Sequence, residues 1–151
     1  MSRGHDVVLF ASGDSTTSAE LVSCVPQALR GLEGSVDPAV SQVMQLEYLA
    51  QQLDEFDILH FHTGFAHFPF TARLPVPQVN TLHGPLIGGE TRLLLEHFRQ
   101  LPLVAISQSQ MSTLPQANWF GVVYHALPRD LYHKIGRARL NSSHSSVSRM
   151  P

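Results

Sequence analysis

The sequence predicts an α/β fold in which a parallel β-sheet is flanked by helices. Four nearly continuous apolar runs end in small groups of polar residues, at 57–62, 79–84, 104–107 and 121–125. Such runs are typical of strands that are buried on both faces of a sheet. They lie about 20 residues apart with helix-like patterns between them, whereas an antiparallel meander needs only short turns.

The composition is that of a globular domain. The chain has 151 residues, of which 43% are hydrophobic and 15% charged, and a chain of this size can bury about two thirds of the surface that it exposes when unfolded. No apolar run approaches the roughly 20 residues that cross a bilayer, and the N-terminus lacks a signal-peptide pattern, so we expect a cytoplasmic protein. The single cysteine, Cys24, is expected to be a small buried side chain rather than a nucleophile.

The charges are unevenly distributed along the chain. All twelve acidic residues precede residue 134, together with six arginines and no lysine. An acidic body does not offer the clustered cations that neutralise nucleic-acid phosphates, so we expect no nucleic-acid partner. Residues 134–151 carry four basic residues and several serines without apolar periodicity. We expect this tail to be disordered and not native to the protein, and we assign residues 1–133 to one partial domain.

The N-terminal part predicts a strand, a polar loop and a long helix. Gly4 has the place of a helix-terminating glycine, and a buried strand at 6–11 follows it. Residues 12–18 form a polar loop that lacks the phosphate-binding P-loop pattern. Asp37 caps a helix that runs to about Leu53. Its apolar stripe is expected to pack against the sheet: Val40, Val43, Met44, Leu46, Leu49, Ala50 and Leu53.

Strands and helices alternate in the remainder of the chain. Ser107 and Gln110 match the capping-box pattern at a helix start. Pro75 and Pro77 end a short helix and favour extended geometry after it. The strands are expected at 57–62, 78–83, 102–107 and 119–124, and the helices at 67–74, at 90–100 and from Ser107 onward.

Histidines stand where the predicted strands end. Ligands of open parallel sheets bind at this edge, and imidazole can transfer protons, donate hydrogen bonds to hydroxyls or phosphates, or bind a metal. We therefore predict catalytic roles for His62 and His83. We predict substrate contact at the neighbouring Gly64 and Gly84, because glycine lets a ligand approach the backbone. His60, in the middle of its strand, is expected to be buried and structural.

The residues by themselves are also compatible with two other functions. His60, His62 and His83 could bind zinc in a hydrolase, but catalytic zinc normally has a well-placed carboxylate nearby. Asp57 lies at the wrong end of its strand, and no acid follows His62 before Glu90, so we expect no metal. The second alternative is a stand-alone nucleotide- or sugar-binding module, which needs no second domain.

Five segments of the sequence, taken in order, resemble a known family. Together they resemble the N-terminal domain of a family 4 glycosyltransferase of GT-B fold: 3–10, 56–62, 81–84, 104–107 and 123–128. The resemblance covers most of residues 3–133. It implies that the predicted sheet is Rossmann-like and forms an incomplete N-terminal half of a GT-B fold.

The resemblance also implies a mechanism. Such enzymes are two-domain, metal-independent, retaining transferases, in which the N-terminal half holds the acceptor and the C-terminal half mainly holds the nucleotide sugar. No cofactor is implied. His83 matches a histidine near the reacting sugar and acceptor, and His62 matches a histidine that faces the same cleft. Gly84, Ser107 and His125 match cleft-lining positions. The family's first strand would precede Met1 and its donor-binding domain would follow residue 133, so we expect the activity to belong to a longer enzyme.

Residues 1–151 expressed alone are expected to be insoluble or poorly folded. In a sheet of strand order 3-2-1-4-5-6 the first strand is central, so a chain that begins at the second strand leaves neighbouring strands with unpaired backbone groups and apolar faces. Adding an upstream strand and helix is expected to raise the soluble yield and sharpen thermal unfolding. A soluble monomer of 1–151 with a sharp thermal transition would contradict this strand order.

Overall fold

The computed structural model describes residues 4–29 and 37–126. Within these residues the strands form two parallel sheets. The smaller sheet pairs β1 (Val8–Phe10) with β2 (Glu20–Val22). The larger has the order β3-β4-β5-β6, with the strands Leu59–Phe61, Gln78–Leu82, Leu103–Ala105 and Trp119–Val122. The predicted α/β fold with a parallel sheet flanked by helices is confirmed.

Helices connect these strands, and two of them begin at the predicted caps. At the start of α1 the Asp37 carboxylate accepts a hydrogen bond from the Ala39 N–H, and at the start of α4 the Ser107 hydroxyl accepts one from the Gln110 N–H. None of the helices in the described part of the chain is long and apolar enough to cross a membrane. The helices are α1 (Pro38–Ala50), α2 (Phe68–Thr71), α3 (Gly89–His97) and α4 (Gln108–Thr113), with a 3-10 turn at Leu53–Glu55.

The apolar core packs the larger sheet against α2, α3 and the residues after α4. Sequential parallel strands with right-handed crossovers place their connecting helices on one face of a sheet, and the buried side chains come from those elements. Each fully buried leucine contributes roughly 1.5–3 kcal/mol relative to exposure. The core residues are Phe68, Leu82, Leu86, Leu95, Leu101, Leu103 and Leu114.

The structure contains one strand, β2, that the sequence pattern does not predict. β2 follows β1 after residues 11–19, a link with no helix that is shorter than the dozen or more residues of a usual parallel crossover. Its three residues are too few to stand out as an apolar run. The predicted polar loop precedes it and carries a local contact between the Ser12 and Ser15 hydroxyls, 3.3 Å apart.

The first half of α1 is more exposed than the sequence predicts. Leu49 is buried, but Val40, Val43 and Met44 are 52%, 65% and 42% exposed. The two strands of the smaller sheet have three residues each, so they offer too little surface to cover the start of a 13-residue helix. Gln45 ties α1 to β1 instead, because its Nε2 donates to the carbonyl of the last β1 residue at 2.7 Å.

His60 is exposed, and the prediction that it is buried is wrong. β3 is an outer strand of the larger sheet, and among the described strands it does not pair with β1. His60 therefore has no neighbouring strand on one side, and its Nε2 lies 2.8 Å from the Thr81 hydroxyl on the other. Cys24 is half-buried, with its Sγ 3.5 Å from the Ser41 carbonyl. The predicted tail, 134–151, lies outside the described residues.

His67 is enclosed, with 2% of its surface exposed. Its Nε2–H donates to Asn80 Oδ1 at 2.7 Å, and the Thr63 hydroxyl donates to its Nδ1 at 3.0 Å. The Asn80 amide donates to the Pro102 carbonyl, which leaves its oxygen to accept from the ring. This arrangement fits a neutral imidazole. Burial lowers the pKa of His67, opposed in part by the hydrogen bond with Asn80.

We expect the free energy of unfolding to fall as the pH drops below about 6.5. His67 is held neutral in the fold, while in the unfolded chain it titrates near the ordinary value of about 6.5, so the unfolded state binds more protons just below that pH. Its contribution is complete above about pH 6.5 and is lost towards the lowered pKa of the folded state. Burial also lowers the pKa of His60 and His62, which adds to the decline.

The test is urea unfolding of the purified full gene product between about pH 8 and pH 5. His67→Gln keeps an amide donor but cannot titrate, so its decline should be shallower than that of the wild type. His97→Gln removes an exposed histidine of α3 and serves as the matched control. Equal slopes for wild type and His67→Gln would contradict the assignment.

Candidate functional site

Three histidines meet at the carboxyl edge of the larger sheet. His62 directly follows β3, His83 directly follows β4, and His125 lies three residues beyond β6. The strands are parallel, so their ends share one edge. β5 ends at Ala105 and the chain turns into α4 at Ser107, which leaves space for histidines from β4 and β6 to meet beyond the end of β5.

The three imidazoles form a continuous hydrogen-bonded row. His62 Nδ1 lies 2.8 Å from His83 Nε2, and His83 Nδ1 lies 3.0 Å from His125 Nε2. Successive ring centroids are 5.1 Å apart, with interplanar angles of 29° and 20°. All three residues are exposed, so ligands can reach them. We call His62, His83 and His125 the imidazole row.

His60 lies beside the imidazole row without being part of it. Its ring centroid is 4.1 Å from that of His62. Burial, followed by the positive charges that His60 and His83 can carry, lowers the pKa of His62. Burial and the charge of His83 likewise lower the pKa of His60. Both rings therefore favour the neutral form, in which imidazole has one donor and one acceptor.

Gln110 fixes the backbone on both sides of His83. Its Nε2 donates to the carbonyls of Leu82 and Gly84 at 2.9 Å and 2.8 Å, and its Oε1 accepts from the Ile106 N–H at 2.9 Å. Gln110 is 8% exposed. The sequence pattern predicts a capping role for Gln110 and does not reveal this second role. The available signal is the capping-box pattern itself, because that pattern directs the side chain back towards the strand end.

The remaining predicted residues lie around this arrangement. Gly84 is bound by Gln110, and Ser107 caps α4 with its hydroxyl. Gly64 lies two residues after His62 in the loop that follows β3. A Cβ at Gly64 or Gly84 would meet no described atom within 4 Å, which leaves room for a ligand to approach the backbone. Substrate contact at these positions stays a prediction.

The ring nitrogens of the imidazole row face each other. Metal ligands instead direct their lone pairs at one common point, tetrahedrally for zinc. Among residues 4–29 and 37–126, no group of three or more His, Cys, Asp or Glu side chains is placed to hold a metal ion. The geometry favours the transfer and donation of protons by these histidines.

Gln110→Ala is expected to destabilise the protein by roughly 2 kcal/mol or more, because it leaves the Leu82 and Gly84 carbonyls and the Ile106 N–H without their partner. Gln108→Ala, at the exposed start of the same helix, is the matched control and should cost less than about 0.5 kcal/mol. Urea unfolding of both variants measures the difference. Equal losses would show that the Gln110 side chain does not hold the strand ends together.

The comparisons with known proteins identify the family. The family model described as Glycosyltransferase Family 4 matches residues 1–142. No curated protein sequence matches the chain significantly. The matched segment spans the larger sheet, α4 and the whole imidazole row, in agreement with the resemblance of the strand-end motifs. The chain belongs to glycosyltransferase family 4.

Proposed function

We propose that this protein transfers a sugar from a nucleotide-sugar donor to an acceptor hydroxyl, with retention of configuration at the sugar carbon. The observation that carries the proposal is the imidazole row at the carboxyl edge of a parallel sheet, which is where ligands of such sheets bind. Membership of glycosyltransferase family 4 supplies the reaction class.

In this proposal the chain supplies the acceptor side of the active site. His62 contacts the reacting groups through its outer nitrogen, and His83 acts on them through its hydrogen bonds to His62 and His125. Together they orient the acceptor hydroxyl and stabilise the charge that develops on the leaving phosphate. Gly64, Gly84, Ser107 and His125 line the same cleft. A second domain holds most of the nucleotide sugar, and neither cofactor nor metal takes part. A cytoplasmic location remains part of the proposal.

The competing function is a binding module that holds a nucleotide or sugar without transferring it. The full gene product should be incubated with an equimolar mixture of UDP-glucose, UDP-N-acetylglucosamine and GDP-mannose and with candidate acceptors, and released nucleoside diphosphate should be measured. Transfer supports the proposal. Tight binding of a sugar or nucleotide without any transfer would favour the binding module, and activity that is lost on chelation and restored by zinc would favour a zinc enzyme.

His83→Ala is expected to lower turnover of the full gene product roughly 10²–10³-fold, because it removes a group that stabilises the transition state. His60→Ala should mainly affect stability, since His60 lies outside the imidazole row. His97→Ala, on the exposed side of α3, is the control for loss of a histidine. Steady-state kinetics on folded variants measures the effect, and near-normal turnover for His83→Ala would remove that residue from the mechanism.

A further inference from the structure

The number of N–H hydrogens in the imidazole row makes its two ends different. Three neutral imidazoles carry three N–H hydrogens in total. Two of these occupy the contacts between His62 and His83 and between His83 and His125, at 2.8 Å and 3.0 Å. The third sits on one of the two terminal nitrogens, His62 Nε2 or His125 Nδ1. One end of the neutral row is therefore a donor and the other an acceptor.

The two directions of the row interconvert by proton transfer. A proton that binds the terminal acceptor, for example His125 Nδ1, drives the hydrogen on His125 Nε2 to His83 Nδ1. The hydrogen on His83 Nε2 then moves to His62 Nδ1, and the hydrogen on His62 Nε2 leaves. Each ring changes tautomer and none stays charged. Transfer in the opposite direction uses the same contacts in reverse.

We propose that His62, His83 and His125 form a proton relay that carries the proton of the acceptor hydroxyl to solvent. The inference rests on the proposed sugar transfer. The bond from the sugar carbon to the phosphate oxygen breaks with its electron pair going to that oxygen, and the bond to the acceptor oxygen forms. The acceptor O–H proton enters the row at one terminal nitrogen, the exposed terminal nitrogen at the other end releases a proton to water, and the leaving phosphate departs as an anion. No further reactant is needed.

The number of ring nitrogens also limits how many extra protons the row can hold. One extra proton gives an N–H at both ends and keeps both hydrogen bonds. A second extra proton would force two N–H groups to face each other and would break one contact. Among the described residues, the His60 ring lies against His62 and can carry a positive charge, and no carboxylate forms an ion pair with the row. The row can therefore hold one extra proton while both contacts persist.

The first experiment counts protons by ¹⁵N NMR of the full gene product with labelled histidine, titrated from about pH 8 to about pH 5. We expect scalar couplings between His62 Nδ1 and His83 Nε2 and between His83 Nδ1 and His125 Nε2. The three rings should shift together with uptake of one proton, and the couplings should disappear when a second proton binds. Three independent titrations without couplings would overturn the relay. Variants that each replace one histidine assign the NMR signals to their residues.

The second experiment separates relay from positioning. His62→Asn and His125→Gln keep an amide near the bonded nitrogen of each residue but cannot pass a proton onward. We expect kcat to fall roughly 10²-fold or more with KM changed less than about threefold, whereas the control His97→Gln keeps both values. Normal kcat in both amide variants would overturn the relay while leaving sugar transfer intact. Failure of the full gene product to transfer any sugar would instead overturn the proposed function, and the relay with it.

Discussion

The carboxyl edge of the larger sheet depends on one buried side chain. Gln110 reaches from α4 to the end of β4 and the end of β5 and bonds to their backbone groups on either side of the point where the strands stop. Parallel strands are held together by ladder hydrogen bonds only as far as they pair. Beyond that point an amide with both donors and an acceptor is well suited to hold two diverging chains. His83 is thereby fixed by its backbone while its ring stays free to bond its neighbours.

Histidine has two different environments in this fold. His67 is enclosed, satisfied at both nitrogens by Asn80 and Thr63, and restricted to one neutral tautomer. The rings of the imidazole row are exposed and bond to each other, so each nitrogen can be either donor or acceptor. The first environment fixes the position of a hydrogen and stabilises the fold. The second leaves the position of the hydrogen undetermined, which is a requirement for moving protons.

Much of the fold follows from local sequence patterns, and the exceptions have physical causes. Continuous apolar runs predict β3 to β6 because such runs are typical of parallel strands, and Asp37 and Ser107 mark helix starts because their side chains satisfy free N–H groups. The pattern misses β2, which has three residues. It overestimates the burial of α1 and His60, because burial depends on how many strands stand beside them.

The candidate site is predictable to a similar extent. Residue type and strand-end position identify His62 and His83, and the family resemblance adds His125. The row itself is not visible in the sequence, since residues 83 and 125 approach each other only because β5 ends early. The role of Gln110 is hidden for the same reason, because its partners are backbone groups of two strands that are distant along the chain.

A row of imidazoles works as a relay only if its rings are neutral, and the surroundings of His62 favour that state. Burial and the neighbouring histidines lower the pKa of His62, since each additional positive charge on these closely spaced rings is opposed by the others. A carboxylate beside the row would favour the charged form and hold a proton in place. No carboxylate of the described residues forms an ion pair with the row, so the direction of the row is left to whatever binds its two ends. An acceptor hydroxyl at one end and water at the other would set that direction, and sugar transfer is the reaction that brings such a hydroxyl to the row.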